Sequence, residues 1–320
     1  MSRRHRIDFS DLQPGLFDHL ENLPVHPAID EAARRMAREQ ADALAPLPPL
    51  KPLVFMSFGS GSSGNCAYLG DEHSGFLIDA GVDAAMVSDT LRRHGIHMEK
   101  VLGIILTHDH SDHVRYAYQF LRHNRHMALF CTPRALSGLL RRHNISRRIK
   151  DYHRPVYKEF EFQLGNFTVT PFEVSHDGTD NAGFFISHSG GRHTFAVATD
   201  LGCITPRVDH YMRRASHIML EANYDLRMLM AGPYPEYLKR RISDVRGHLD
   251  NSDTARFLAG ILSPALRSVF LCHLSHDNNT PETALATVGQ ALRDTGATPG
   301  TLSLVALPRF EASPLYLLES

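Results

Sequence analysis

The chain has 320 residues, of which 42% are hydrophobic and 22% charged, which is the composition of a globular protein with a large core. Its formal net charge of -1 excludes a global basic field, so a polyanion would have to be held by a local patch or by metal ions. The four cysteines contain no C-x-x-C pair, which argues against a zinc ribbon and favours reduced, mostly buried thiols.

Residues 1–52 differ from the rest of the chain and are predicted to form an N-terminal extension with a proline-rich linker. The stretch 28–45 has helical composition, and 46–52 (PLPPLKP) fits neither a helix nor a central strand. A helix packed on the main domain and a separate arm are both open. No apolar segment follows the basic start, and no apolar run is long enough to span a bilayer. We therefore expect a cytoplasmic protein without a membrane segment.

Residues 53–320 are predicted to be one domain in which short apolar strands alternate with helices. The predicted strands are Leu53–Phe58, Phe76–Ile78, Val101–Leu106, Phe167–Val174, Thr194–Ala198, His217–Leu220 and Ser268–Cys272. The predicted helices are Asp83–His94, Asp112–His123, Pro133–His143, Asn251–Ile261 and Pro281–Asp294. Hairpin-like strand pairs are expected near 160–175 and 183–198. This order is typical of a layered α/β architecture.

A glycine-rich stretch, 59–64 (GSGSSG), follows the first predicted strand and formally matches G-x-G-x-x-G. A dinucleotide-binding site would require a helix next, but Asn65–Leu69 is typical of another strand. The glycines therefore predict a tight hairpin whose backbone can approach a functional site closely.

A histidine-rich segment, 107–113 (THDHSDH), follows an apolar predicted strand in the order H-x-H-x-D-H. His108 and His110 are two residues apart, so an extended backbone points both rings the same way. Asp112 and His113 follow where the chain turns into a helix, and the four side chains together can serve two adjacent metal ions. A polar loop that happens to be rich in histidine is the alternative, and the order of the residues favours the metal site.

A basic cluster lies between residues 134 and 154. Its members are Arg134, Arg141, Arg142, Arg147, Arg148, Lys150 and Arg154. Such a cluster can follow a nucleic-acid backbone, but a solvated helix face has the same composition, and the sequence leaves both interpretations open.

The H-x-H-x-D-H segment resembles the signature of the metallo-β-lactamase superfamily. Four further segments resemble that family's motifs in the same order, and each follows an apolar strand. They contain Asp79 in LIDAG, His176 in VSHD, Asp200 in ATD and His273 in FLCHLS. The resemblance implies a four-layer αββα sandwich with metal ions at one edge.

The resemblance also implies a role for each of these residues. One ion would be held by His108, His110 and His176, and a second by Asp112, His113 and His273. Asp200 would bridge the two ions, and Asp79 would support the ligands from behind. Two divalent ions, Zn²⁺ or Mn²⁺, would activate a bridging hydroxide as the nucleophile.

Several stretches resemble the WalJ/YycJ-like branch, which is associated with exonuclease-like phosphodiesterase activity. They are 57–65, 220–225, 234–242, 247–251 and 273–279. Tyr224 stands where a histidine is expected, so no histidine role carries over there. His248 would bind the scissile phosphate or protonate the leaving group. Its alternative is a structural position before the helix Asn251–Ile261.

These features predict a metal-dependent phosphodiesterase that acts on nucleic acid, with Asp112 and His248 as catalytic residues and DNA as the partner. A small-molecule phosphodiesterase is the nearest alternative, and a thioesterase or lactonase is another reaction class. A metal-stabilised binding module without catalytic activity would leave the full ligand set unexplained.

Overall fold

The structure is a computed structural model that describes residues 53–190, 193–295 and 302–318. The predicted extension and linker, residues 1–52, lie outside the described residues.

Fourteen strands of the described chain form two seven-stranded sheets. The strands are β1 Leu53–Gly59, β2 Cys66–Gly70, β3 Gly75–Ile78, β4 Val101–Ile105, β5 Ala128–Cys131, β6 His153–Pro155, β7 Phe162–Leu164, β8 Phe167–Glu173, β9 Ala182–His188, β10 Thr194–Ala198, β11 His217–Glu221, β12 Ser268–Cys272, β13 Ser303–Ala306 and β14 Tyr316–Leu318. The first sheet has the order β14-β1-β2-β3-β4-β5-β6, and the second has the order β13-β12-β11-β10-β9-β8-β7. The two predicted hairpins are confirmed, because β7 pairs with β8 and β9 with β10 in antiparallel register.

Nine α-helices of the described chain connect the strands. They are α1 Ala84–Arg93, α2 Ser111–Val114, α3 Ala117–His123, α4 Pro133–Arg142, α5 Pro206–Met212, α6 Leu226–Ala231, α7 Glu236–Ile242, α8 Asn251–Ile261 and α9 Pro281–Asp294. The same part of the chain also contains two 3-10 helices, Met98–Lys100 and Arg147–Tyr152. Within the described ranges, no helix has the length and apolar character that a membrane crossing requires.

The helix predicted over 112–123 is divided into α2 and α3. The backbone N–H of Tyr116 donates to the carbonyl of Ala80 at 2.9 Å instead of to a carbonyl one turn earlier. This bond fixes the segment after β3 to the segment after β4, so the interruption holds two site-forming loops together.

The strands alternate between two apolar faces, as a pleated strand requires. Phe195 and Val197 of β10 point into the core between the sheets, whereas Ala196 and Ala198 face the helices. The side chains of β1 alternate in the same way, and Phe55 lies between the sheets. The described residues form three hydrophobic cores, one between the sheets and one under each outer helical layer. The predicted αββα sandwich is confirmed.

The four cysteines are free, and three of them are buried in these cores. Burial raises the pKa of the Cys66 and Cys272 thiols, and it raises the pKa of Cys131 to about 12. All three thiols therefore stay protonated and unreactive at neutral pH.

Parallel strand pairing brings together the segments that carry the predicted site residues. In the first sheet β3 runs parallel to β4, and in the second β10, β11 and β12 run parallel to one another. The carboxyl ends of these strands therefore lie at one edge of each sheet, and the segments after them carry the predicted site residues.

Candidate active site

Three histidine rings meet where β4 and β8 end. His108 and His110 have ring centroids 4.6 Å apart, and each ring centroid lies 5.0 Å from that of His176. Nε2 of His176 lies 3.3 Å from Nδ1 of His110, and one ring nitrogen of each residue is close enough to share a metal ion. The Nδ1–H of His176 donates to the carbonyl of Gly247 at 3.0 Å, which turns Nε2 toward the other two rings.

A second group lies beside the first. Asp112, His113 and His273 place one potential ligand atom each within 4.8 Å of one another. Nε2 of His113 is 3.4 Å from Oδ2 of Asp112 and 3.3 Å from Oδ2 of Asp200. Asp200 also forms a compact group with His108 and His113, so its carboxylate lies between the two sets of imidazoles.

Asp79 supports this arrangement from within the protein. Its Oδ2 accepts a hydrogen bond from Nδ1 of the fully buried His113 at 2.7 Å, and its Oδ1 accepts from the backbone N–H of Thr107 at 2.8 Å. Asp79 adopts a positive φ of 61°, a conformation that aspartate tolerates better than most residues. The carboxylate thereby fixes the ring of His113, whose Nε2 faces Asp112 and Asp200 and lies 3.0 Å from Nδ2 of Asn65.

Glu221 also belongs to the site, although the sequence motifs gave it no role. This completely buried carboxylate ends β11, and its Oε1 lies 2.7 Å from Nδ1 of both His248 and His273. Its Oε2 accepts from the backbone N–H groups of Leu201 and Leu249 at 3.0 and 3.1 Å. The available signal was an acidic residue at the end of an otherwise apolar strand.

His248 lies at the edge of the site. Its ring centroid is 5.1 Å from those of His176 and His273, and its side chain keeps 22% of its exposure. Nδ1 donates to Glu221, so Nε2 is the nitrogen left for a ligand. Tyr224, in contrast, is buried, and its backbone pairs with Asp250.

The glycine-rich turn between β1 and β2 packs directly against the H-x-H-x-D-H segment. The backbone N–H of Asn65 donates to the carbonyl of Asp112 at 2.8 Å, and its Nδ2 donates to Oδ2 of Asp112 at 3.1 Å. The hydroxyl of Ser60 accepts from the backbone N–H of His273 at 2.9 Å. The predicted hairpin and its close approach to the site are therefore confirmed.

Three buried atoms of the two groups suit a metal ion, because they make no hydrogen bond to any described residue. They are Nε2 of His108, Nε2 of His273 and Oδ2 of Asp200. Buried polar atoms are rarely left without a partner, and imidazole nitrogen with carboxylate oxygen is a common zinc donor set. The residues present therefore fit a divalent metal centre.

The electrostatics of the two groups differ. Burial lowers the pKa of His108 well below its ordinary value and that of His110 to about 4, which keeps both rings in the neutral, metal-binding form. Burial also acts on His273, but Asp200, Asp112 and Glu221 outweigh it and raise the pKa of His273 to about 10. The second group therefore attracts a cation strongly, whether a proton or a metal ion.

Comparisons with known proteins agree with this geometry. Residues 75–273 match the family model described as a beta-lactamase superfamily domain. The chain is 30% identical to Exodeoxyribonuclease YycJ of Bacillus anthracis over 76% of this chain and 90% of that protein. It is 28% identical to Exodeoxyribonuclease WalJ of Streptococcus pneumoniae over 72% of this chain and 84% of that protein.

The fold has solved counterparts. The metallo-beta-lactamase fold protein YhfI from Bacillus subtilis superposes with a TM-score of 0.61 at 13% identity, covering 82% of this chain and 99% of that chain. The chain therefore belongs to the metallo-β-lactamase superfamily, in its WalJ/YycJ-like branch, and is a metal-dependent hydrolase.

Proposed function

We propose that this hydrolase is a phosphodiesterase that uses two metal ions to release nucleotides from DNA ends. The observation that carries the proposal is the pairing of His248 with Glu221 beside the two candidate ligand groups. Hydrolysis of a phosphodiester requires a nucleophile on one side of phosphorus and a proton for the departing alkoxide on the other. The site offers residues for both tasks.

The candidate ligands divide into two sets around one carboxylate. His108, His110 and His176 would hold one ion, Asp112, His113 and His273 would hold the other, and Asp200 would serve both. Bound divalent ions supply an activated water at neutral pH and neutralise charge that develops on the scissile group. Asp79 and Glu221 would keep the rings of His113 and His273 oriented for binding, since each carboxylate accepts a hydrogen bond from the nitrogen that faces away.

His248 would protonate the leaving oxygen. Its Nδ1–H donates to Glu221, so Nε2 is directed elsewhere and can carry the proton that the alkoxide takes. The buried carboxylate stabilises the positive charge of the ring while it holds that proton. The structural alternative, in which His248 only precedes α8, gives no reason for a completely buried glutamate to bind its ring.

A cavity of about 210 Å³ opens beside His248, and its lining favours an anionic substrate. Its lining includes Tyr234, Arg241 and Asn223. The guanidinium of Arg241 binds Oδ2 of Asp177 at 2.8 and 2.9 Å but keeps 64% of its side-chain exposure. It is therefore held at the cavity, where it can contact a phosphate.

The names of the two relatives favour DNA as the substrate, because both are called exodeoxyribonucleases. Each is aligned over more than four fifths of its own length, so the similarity is not confined to the metal motifs. A location in the cytoplasm stays a prediction.

The test is hydrolysis of end-labelled, 5′-phosphorylated duplex DNA by protein that has been stripped of metal and refilled with Zn²⁺ or Mn²⁺. A covalently closed DNA circle serves as the matched substrate without ends, and Asp112→Ala serves as the matched protein. We expect metal-dependent mononucleotide release from the linear DNA only, and none from the variant.

Each other outcome has a defined meaning. Cleavage of the closed circle would replace the exonuclease with an endonuclease. Hydrolysis of a small phosphodiester without nucleotide release would favour the small-molecule phosphodiesterase, and turnover of a thioester or lactone alone would favour the other reaction class.

A further inference from the structure

We propose that the exposed basic residues of α4, of the 3-10 helix Arg147–Tyr152 and of β6 form the surface that holds the phosphate backbone of the DNA substrate. This inference rests on the proposed function and names the surface that the substrate would cross. The basic surface consists of Arg134, Arg141, Arg142, Arg147, Arg148, Lys150 and Arg154. All seven side chains are exposed.

The charge of this surface is local and largely uncompensated. The segment 133–154 contains these seven basic residues and a single acidic one, Asp151, although the whole chain carries a net charge of -1. Among the residues that the structure describes, only Arg142 of the seven forms an ion pair, with Asp109. Some exposed arginines on other helices are paired with acidic side chains, as Arg92 is with Asp89 and Arg256 with Asp253.

Several contacts fix α4 beside the candidate active site. Nε of Arg142 lies 3.5 Å from Oδ2 of Asp109, the residue between His108 and His110. Nε2 of His143, the residue after α4, lies 2.6 Å from the carbonyl oxygen of Asp109. One end of the basic surface therefore contacts Asp109, which is the sequence neighbour of the candidate metal ligands His108 and His110.

A glycine in the middle of α4 allows the helix to pack closely against its neighbours. A Cβ atom on Gly138 would lie 2.1 Å from Oδ2 of Asp109 and 2.4 Å from Oγ1 of Thr179. Thr179 itself donates to Asp109 through both its backbone N–H and its hydroxyl. The helix thus rests on the segment after His176 as well as on the histidine-rich segment.

Exposed aromatic rings lie close to the start of the same helix. Tyr157 and Phe160 follow β6 and are 56% and 71% exposed. Lys158, between them, binds Oδ1 of Asp180 at 2.6 Å, and Oδ2 of Asp180 accepts from the N-cap residue of α4, Thr132, at 2.5 Å. Arginine side chains for phosphates with exposed rings for unpaired bases are the combination that binds nucleic acid without sequence preference.

The test is binding of the full-length, metal-loaded protein to labelled duplex DNA whose ends are closed by hairpin loops, so that affinity is measured without cleavage. The variant is Arg147→Ala with Arg148→Ala, because neither side chain contacts a candidate ligand. The matched control is Arg256→Ala with Arg293→Ala, two exposed arginines on α8 and α9, the helices that cover the second sheet.

We expect the Arg147/Arg148 variant to bind about tenfold more weakly, and the slope of log affinity against log salt to fall by about 1 to 2. The control variant should match the wild type. All three proteins should hydrolyse bis(p-nitrophenyl) phosphate equally, which shows that the metal site is intact.

Equal affinity and an equal salt slope in the Arg147/Arg148 variant would overturn the basic surface, even if the wild type releases nucleotides from DNA. Conversely, a wild type that binds DNA through this surface but releases no nucleotides would overturn the proposed function alone. Absence of DNA binding by the wild type would overturn the basic surface directly.

Discussion

The Nδ1 atom of His248 lies 2.7 Å from Oε1 of Glu221, a carboxylate that has no exposure to solvent. The same oxygen lies 2.7 Å from Nδ1 of His273, so one buried acid joins the candidate general acid to a candidate metal ligand. His248 and His273 lower the pKa of Glu221 against the effect of burial, which keeps it ionised. A single side chain therefore orients two rings for which we propose different tasks.

Replacing Glu221 with glutamine should impair both tasks. The amide keeps the volume, but its NH₂ group must face either two imidazole N–H groups or the backbone N–H groups of Leu201 and Leu249. We expect metal affinity to fall by roughly 10- to 100-fold. The free energy of unfolding should fall by about 2 kcal/mol, because buried donors lose their acceptor.

Metal titration and denaturant unfolding of the Glu221→Gln variant measure these effects. Glu236→Gln, on the exposed side of α7, is the matched control and should change neither quantity. Unchanged metal affinity in Glu221→Gln would show that the carboxylate does not position His273.

Replacing His248 with asparagine should reduce activity to an extent that depends on the leaving group of the substrate. We expect kcat on DNA to fall by about 10²- to 10⁴-fold, because an alkoxide needs a proton as it departs. Hydrolysis of bis(p-nitrophenyl) phosphate should fall far less, since p-nitrophenolate leaves without protonation.

Steady-state kinetics on both substrates, with metal content measured in parallel, tests this role. His276→Asn replaces an exposed histidine three residues after His273 and should retain activity on both. Equal losses on both substrates, together with lost metal, would instead make His248 a metal ligand.

The fold and the position of the site were accessible from sequence because both depend on short local patterns. Apolar runs such as Thr194–Ala198 and Ser268–Cys272 match the observed strands residue for residue. The candidate ligands follow such strands, and parallel pairing brings the ends of β10, β11 and β12 to one edge. The order of the motifs along the chain therefore indicated their convergence.

Other features depend on contacts between distant residues. Strand β14 pairs with β1, although most of the domain's sequence lies between them. The three residues of β14 have no distinct strand pattern. The break between α2 and α3 is due to a hydrogen bond from Tyr116 to Ala80 that no local pattern indicates. Glu221 lies in 220–225, one of the stretches that resemble the WalJ/YycJ-like branch. Its significance, however, comes from its complete burial against two histidines.

The arrangement of candidate ligands predicts two metal ions per chain. His176 belongs only to the group with His108 and His110, so His176→Ala should lower the content to about one ion while the second group stays filled. Asp253→Ala, on the exposed face of α8, should keep two. Elemental analysis after exhaustive dialysis measures the ratio, and a single ion in the wild type would contradict the dinuclear site.

A last prediction concerns the backbone that supports Asp112. A Cβ atom on Gly81 would lie 1.5 Å from the carbonyl oxygen of Asp112, which accepts the backbone N–H of Asn65. Gly81→Ala must therefore displace the histidine-rich segment, and we expect the free energy of unfolding to fall by about 3 kcal/mol together with loss of bound metal.

Gly260 is the matched position, because it lies within α8 and a Cβ atom there would meet nothing within 4 Å. Gly260→Ala should stabilise the protein by about 0.5 to 1 kcal/mol, as alanine favours the helix, and should leave metal content unchanged. Denaturant unfolding and elemental analysis of the two variants compare them directly. If Gly81→Ala kept its metal and its stability, the contact between the segments after β3 and β4 would not be what holds Asp112 in the site.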